Sequence, residues 1–145
     1  MIDKQRVGYT TGVFDLFHIG HLNILKTAFA RCDFLIVGVT TDELCNEVKG
    51  ITPIIPLKER LEILKSIKYV SKVVTQSSMD KLIAWDQYKF DIVFVGDDWK
   101  GTKKWDKIEN DFSKVNVSID YLPYTKHTSS TNLRQILRSL SKGLK

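Results

Sequence analysis

The stretch "RVGYTTGVFDLFHIGHLNIL", residues 6–25, begins in one structural period and ends in another. Arg6–Phe14 reads as a strand. From about Gly20 to Ala30 the apolar residues Leu22, Leu25, Ala28 and Phe29 fall on the side of a helix. Between them lies a glycine-marked corner that carries two of the chain's three histidines, His18 and His21. The rest of the chain is read outward from this strand-to-helix corner.

The same alternation continues. "DFLIVGVTT" (33–41) is a short continuous apolar run, as expected of a strand buried on both faces of a parallel sheet. "TDELCNEV" starts at a good N-cap, Thr41, and predicts a short helix. "KGITPIIP" (49–56), with two prolines and a glycine, predicts a loop. "LKERLEILKSI" (57–67) is an amphipathic helix with Leu57, Leu61 and Leu64 on one side. A strand near 72–76, a helix near 79–88 and the strand "DIVFVG" (91–96) follow. "DDWKGTKKW" reads as a polar loop, and "VSIDYL" and "STNLRQILRSL" as a last strand and helix. Five strands alternating with helices predict a three-layer, Rossmann-like α/β fold with a five-stranded parallel sheet, in one domain over residues 1–145. Ligands of such folds bind beyond the carboxyl ends of the strands. "GVFDLFHIGH", "GDDW" and "YTKHTSST" all fall there.

Composition bounds the function. The 145 residues suffice for one hydrophobic core, and the 43% hydrophobic and 27% charged residues are those of a globular domain. No run approaches the ~20 apolar residues of a membrane span, and "MIDKQRVGYT" lacks the apolar centre of a signal peptide. A cytoplasmic protein without a membrane partner is expected. Cys32 and Cys45 form no CxxC pair and read as small apolar fillers. The net charge of +5 comes from lysines spread along the chain, which suits a small polyphosphate as well as a nucleic acid.

A helix that begins beside His18 and Gly20 points free backbone N–H groups at the corner, and its dipole favours an anion there. Two imidazoles add donors, and Gly20 lets a bulky phosphate approach the backbone. That is equipment for stabilising charge in phosphoryl or nucleotidyl transfer. Two histidines capping a helix would have the same spacing, so spacing alone leaves both readings open.

The pattern is more specific than its spacing. "GVFDLFHIGH" resembles the G-x-F-D-x-x-H-x-G-H signature of the cytidylyltransferase-like nucleotidyltransferases, and especially of members acting on glycerol 3-phosphate, phosphocholine and phosphoethanolamine. The resemblance extends through "TTDEL", "KER…IKYVSKVV", "VGDDWKG" and "YLPYTKHTSST" in the family's order. It implies a cytidylyltransferase that moves CMP from CTP to an alcohol phosphate, with magnesium as cofactor and a homodimer as the assembly. His18 and His21 would stabilise charge at the triphosphate, with Lys49 as a third catalytic group. Thr11, Gly12, Phe14, Asp15, Gly20, Asp97, Thr125, Ser129, Ser130 and Thr131 would hold the nucleotide. Arg60 and Lys68 would hold the acceptor. No protein ligands to a metal are implied, and no nucleic-acid partner.

The sequence departs from the family at Tyr124 and Lys68, where the family has arginine, and at His127 and Thr128, where it has glycine and isoleucine. These changes bear on which nucleotide and which acceptor are used. Adenylyl transfer from ATP, another phosphorylated acceptor and a noncatalytic binding module are the competing readings. The last would show a steep loss of affinity with salt and no turnover.

Overall fold

The computed structural model describes residues 4–123 and 129–143. In chain order its elements are β1 (Val7–Gly12), α1 (Ile19–Ala30), β2 (Phe34–Thr40), α2 (Asp42–Lys49), α3 (Leu57–Lys65) and β3 (Lys72–Gln76). They continue with α4 (Lys81–Tyr88), β4 (Ile92–Gly96), a short 3-10 turn (Asp97–Trp99), α5 (Lys103–Ser113), β5 (Ser118–Leu122) and α6 (Ser130–Gly143). The five strands form one sheet in the order β3-β2-β1-β4-β5, and every pairing is parallel. The predicted Rossmann-like α/β architecture is therefore present.

Alternation along the central strands divides the core between two layers. Leu35, Val37, Val39, Ile92 and Phe94 pack with Leu25 and Ala28 of α1 and Leu64 of α3. Tyr9, Ile36 and Val93 turn the other way and pack with Phe90, Trp105, Phe112 and Val117. A side chain at Gly38 would place its Cβ 2.7 Å from the Tyr9 hydroxyl, so only glycine fits beside that ring.

The chain runs from β1 outward to β2 and β3, then returns to place β4 on the other side of β1. The carboxyl ends of β1 and β4 thus form the switch point where such sheets bind ligands. These strands pair only at Gly8–Ile92 and Tyr9–Val93. Beyond that the Thr10 hydroxyl bridges the gap by donating to the Phe94 carbonyl, 3.0 Å away. The parting of the two strands opens the crevice below.

The structure departs from the expected elements at two places. Helix α5 begins inside the stretch read as a polar loop. Thr102 caps it, its Oγ1 accepting from the Trp105 amide, and Trp105 and Phe112 are buried. Strand β1 also ends two residues early, because the corner that follows needs backbone angles a strand cannot supply. Among the described residues, no helix is long and apolar enough to cross a membrane.

Candidate active site

The corner between β1 and α1 is backbone under tension. Phe14 and Leu16 adopt positive φ angles of 55° and 51°, a conformation costing about 1–3 kcal/mol per non-glycine residue unless its surroundings enforce it. Asp15 between them does so. Its buried carboxylate accepts from the Ile54 and Ile55 amides, each at 2.8 Å, tying the corner to the loop before α3.

His18 and His21 then start α1 as a reciprocal capping pair. His18 Nδ1 accepts from the Gly20 amide at 3.0 Å, and His21 Nδ1 accepts from the His18 amide at 3.3 Å. Both Nδ1 atoms are thus acceptors, which puts the proton of each neutral ring on Nε2. The rings stack with centroids 4.0 Å apart, and Phe14 meets His21 edge-on at 5.3 Å. The capping reading and the chemical reading are compatible: capping uses Nδ1 and leaves Nε2–H as the outward donor.

The His21 pKa is lowered to about 4, first by burial and then by His18, against the upward pull of Asp15. His18 is lowered by burial alone. At pH 7 the pair is two neutral donors rather than two cations. Unfolded, His21 takes up a proton near pH 6.5; folded, it resists protonation until about pH 4, so stability falls as pH drops through that window. Melting the parent and His21→Gln, which can keep the capping bond, at pH 7.5 and 5 reads this out. The parent should lose stability on the order of 1–2 kcal/mol more than the variant. Parallel losses would contradict the buried neutral ring.

From the other side, the start of α6 closes on the same corner. The Ser129 hydroxyl accepts from the Asn132 amide at 3.0 Å. The Ser130 hydroxyl donates to the Asp15 carbonyl and lies 3.5 Å from His21 Nε2. Two helix N-termini therefore face one cleft of about 270 Å³, lined by Thr11, Gly12, Phe14, Asp15, His18, Gly20, His21, Lys49, Ser129, Ser130 and Thr131. All of these are residues the sequence singles out, brought together from β1, α1, α2 and α6.

Others are not brought there. Arg60, expected to hold the acceptor, is fully buried. Its Nε donates to the Ile55 carbonyl at 2.8 Å, and its Nη1 to those of Val13 and Thr40 at 2.8 and 2.7 Å. Its Nη2 pairs with Asp42. With its donors engaged inside the protein, Arg60 holds the ends of β1 and β2 to the 50–56 loop. Lys68 is exposed between α3 and β3, at the amino end of the sheet, with Nζ 5.2 Å from the Tyr69 ring. The single chain does not carry it to the cleft. Asp97 is exposed, and its neighbour Asp98 lines the cleft instead. Thr125, with Tyr124, His127 and Thr128, lies outside the described residues.

The sequence reading missed two cations. Arg134 is one helical turn beyond Ser130, 8% exposed, and lines the cleft. Its Nη1 lies 4.0 Å from the Asp15 carboxylate and has no hydrogen-bond partner among the described residues. Lys81, also 8% exposed, donates to the Thr11 hydroxyl at 2.7 Å from the start of α4. Among the described residues no group of three or more His, Cys, Asp and Glu side chains gathers; the carboxylates lining the cleft are Asp15 and Asp98.

The chain is 36% identical over 132 residues to a glycerol-3-phosphate cytidylyltransferase of Bacillus spizizenii, covering 90% of this chain and 96% of the relative. It is 40% identical over 97 residues to an ethanolamine-phosphate cytidylyltransferase of Arabidopsis thaliana, covering 62% of this chain and 22% of that one. The crystal structure of a lipopolysaccharide core biosynthesis protein from Thermoplasma volcanium superposes with a TM-score of 0.71 at 25% identity, over 86% of this chain and all of that one. The pattern described as Cytidylyltransferase-like spans residues 9–136, from the first strand through the last helix. The chain belongs to the cytidylyltransferase-like family and is an enzyme of the nucleotidyltransferase class.

Proposed function

We propose that the protein transfers the cytidylyl group of CTP to an alcohol phosphate, glycerol 3-phosphate foremost, giving a CDP-alcohol and pyrophosphate. The observation that carries this reading is the convergence of two helix N-termini, two imidazoles and the Arg134 guanidinium, whose buried Nη1 has no hydrogen-bond partner among the described residues, on one cleft. Such a site neutralises a polyanion. The names of the curated relatives support the choice of CTP and of the acceptor.

The chemistry needs no protein nucleophile. An oxygen of the acceptor's phosphate is already anionic at neutral pH and attacks the α-phosphorus. The bond from that phosphorus to the oxygen bridging to the β-phosphorus breaks, and pyrophosphate leaves with the electron pair. His18 and His21 donate to the oxygens that gain charge. The α6 amides, Ser129, Ser130, Thr131 and Arg134 hold the departing phosphates. Lys49, exposed at the end of α2 just before Gly50, sits at the cleft wall where the two substrates would meet. The protein's contribution is alignment and fixed dipoles.

Magnesium fits this donor set, since it is commonly held by one or two carboxylates together with substrate phosphates and water. Asp98 would supply an oxygen, Asp15 being engaged by two amides. When bound, the ion screens the charge of the triphosphate.

Phosphorus NMR of the protein with magnesium, CTP and glycerol 3-phosphate tests the proposal. CDP-glycerol and pyrophosphate should accumulate in equal amounts, and ATP in place of CTP should give neither. Turnover with ATP alone, or CTP binding with no turnover of any alcohol phosphate, would overturn it.

A further inference from the structure

Beside the nucleotide cleft lies a second cavity of about 410 Å³, continuous with it through Thr11, Gly12, Val13, Lys49, Val95 and Trp99. Its inner wall carries a polar triad. Lys81 Nζ is 2.7 Å from Thr11 Oγ1 and 3.1 Å from Gln76 Oε1, while Gln76 Nε2 rests on Met79 Sδ at 3.1 Å. The two oxygens occupy two of the three N–H groups of Lys81, and the described residues supply no acceptor for the third. Thr11 also lines the nucleotide cleft, so the triad stands where a molecule reacting with the α-phosphate would have its far end.

The charges lining this cavity have one sign. Lys49, Lys81 and Lys104 line it, and among the described residues no carboxylate does. Lys104 Nζ sits 5.6 Å from the centre of the exposed Trp99 ring, and Trp105 is buried with its ring packed edge-on to Tyr121. A substrate ammonium would meet three like charges and, among the described residues lining the cavity, no counter-ion. A hydroxyl fits: it accepts from Lys81 and donates to the oxygen of Gln76 or Thr11. Burial, with Lys104 adding to it, lowers the Lys81 pKa to about 8, so the side chain is still largely protonated at pH 7.

We infer that this cavity receives the alcohol end of the acceptor, and that Lys81, with Gln76 and Thr11, selects a hydroxylated tail over an ammonium one. The inference rests on the cytidylyl-transfer reading above and adds the residue that distinguishes polyol phosphates from amino-alcohol phosphates.

The test is kcat/KM with CTP for glycerol 3-phosphate, phosphoethanolamine and phosphocholine, in the parent and in Lys81→Gln. In the parent, glycerol 3-phosphate should exceed both ammonium acceptors by about 100-fold or more. In Lys81→Gln that ratio should fall roughly 10- to 100-fold, through KM for the acceptor. The KM for CTP and the melting temperature should stay close to the parent's, which separates selection from a structural role. Equal use of phosphoethanolamine by the parent, or an unchanged ratio in the variant, would overturn the inference and leave cytidylyl transfer standing. No turnover of any acceptor would instead overturn the transfer reading. Titration of the CTP complex then decides the cavity: binding of glycerol 3-phosphate over phosphoethanolamine, lost in Lys81→Gln, sustains it, and equal binding overturns it.

Discussion

Replacing His18 by asparagine lowers kcat for cytidylyl transfer by about 10²- to 10³-fold while leaving the protein folded. The substitution separates the two roles of this imidazole. Asparagine is among the best N-cap residues, so it can replace Nδ1 as the acceptor of the Gly20 amide. It has no donor where Nε2–H stood, and that donor is what the transition state uses. His18→Ala should lose the same catalytic factor and about 1 kcal/mol of stability besides. Because the ring is neutral at pH 7, its contribution is a directed hydrogen bond rather than a diffuse positive field. The loss should therefore persist at high salt, which would weaken a purely electrostatic effect of an exposed charge. If His18→Asn retains near-parental kcat, the histidine is only a cap.

Arg60→Met should unfold the protein more readily and not merely weaken acceptor binding. Three carbonyls, of Ile55, Val13 and Thr40, would lose their guanidinium donors, and Asp42 would lose its partner. Removing one side of a buried charge network typically costs about 3–5 kcal/mol. In a chain of this size that corresponds to a melting temperature lower by roughly 10 °C. Arg60→Lys should recover only part of this, because lysine keeps the charge but cannot reach three carbonyls in a fixed fork. A direct contact with the acceptor would give the opposite pattern: a raised KM for the alcohol phosphate at an unchanged melting temperature. Thermal unfolding beside acceptor KM distinguishes the two.

Much of this architecture is legible in the sequence because the hydrophobic pattern is strong where the sheet is buried on both faces. "DFLIVGVTT" and "DIVFVG" are strands because nothing polar interrupts them, and Thr41 and Ser129 announce the helices they cap. The corner is legible for a different reason. Its chemistry lies in residues close together in the chain, and the Nδ1 atoms of His18 and His21 bond to the backbone of the corner itself.

What was not legible depends on contacts distant in sequence. Arg60 lies on a helix whose pattern reads as amphipathic, and a charged residue there is expected to face water. It is buried because carbonyls 20 and 47 residues away converge on it. Lys81 and Arg134 are hidden by the same logic: each lies early on a helix, and only the folded chain shows it turned toward the cleft. Helix α5 was missed because Lys103 and Lys104 continue the polar character of the loop before it. The signal was present in Thr102 as a cap and in the spacing of Trp105, Ile108 and Phe112.

In the proposed reaction an acceptor phosphate attacks the α-phosphorus of a triphosphate held between α1 and α6. Oxygen tracing tests it most directly. The enzyme is given unlabelled CTP and glycerol 3-phosphate whose phosphate oxygens are ¹⁸O, and the products are read by the isotope shift of their phosphorus signals. In-line attack by the acceptor puts ¹⁸O in the bridge of the CDP-glycerol formed, shifting the resonance of the cytidylyl phosphorus, and none in the pyrophosphate. Label in the pyrophosphate, or an unshifted cytidylyl phosphorus, would contradict it.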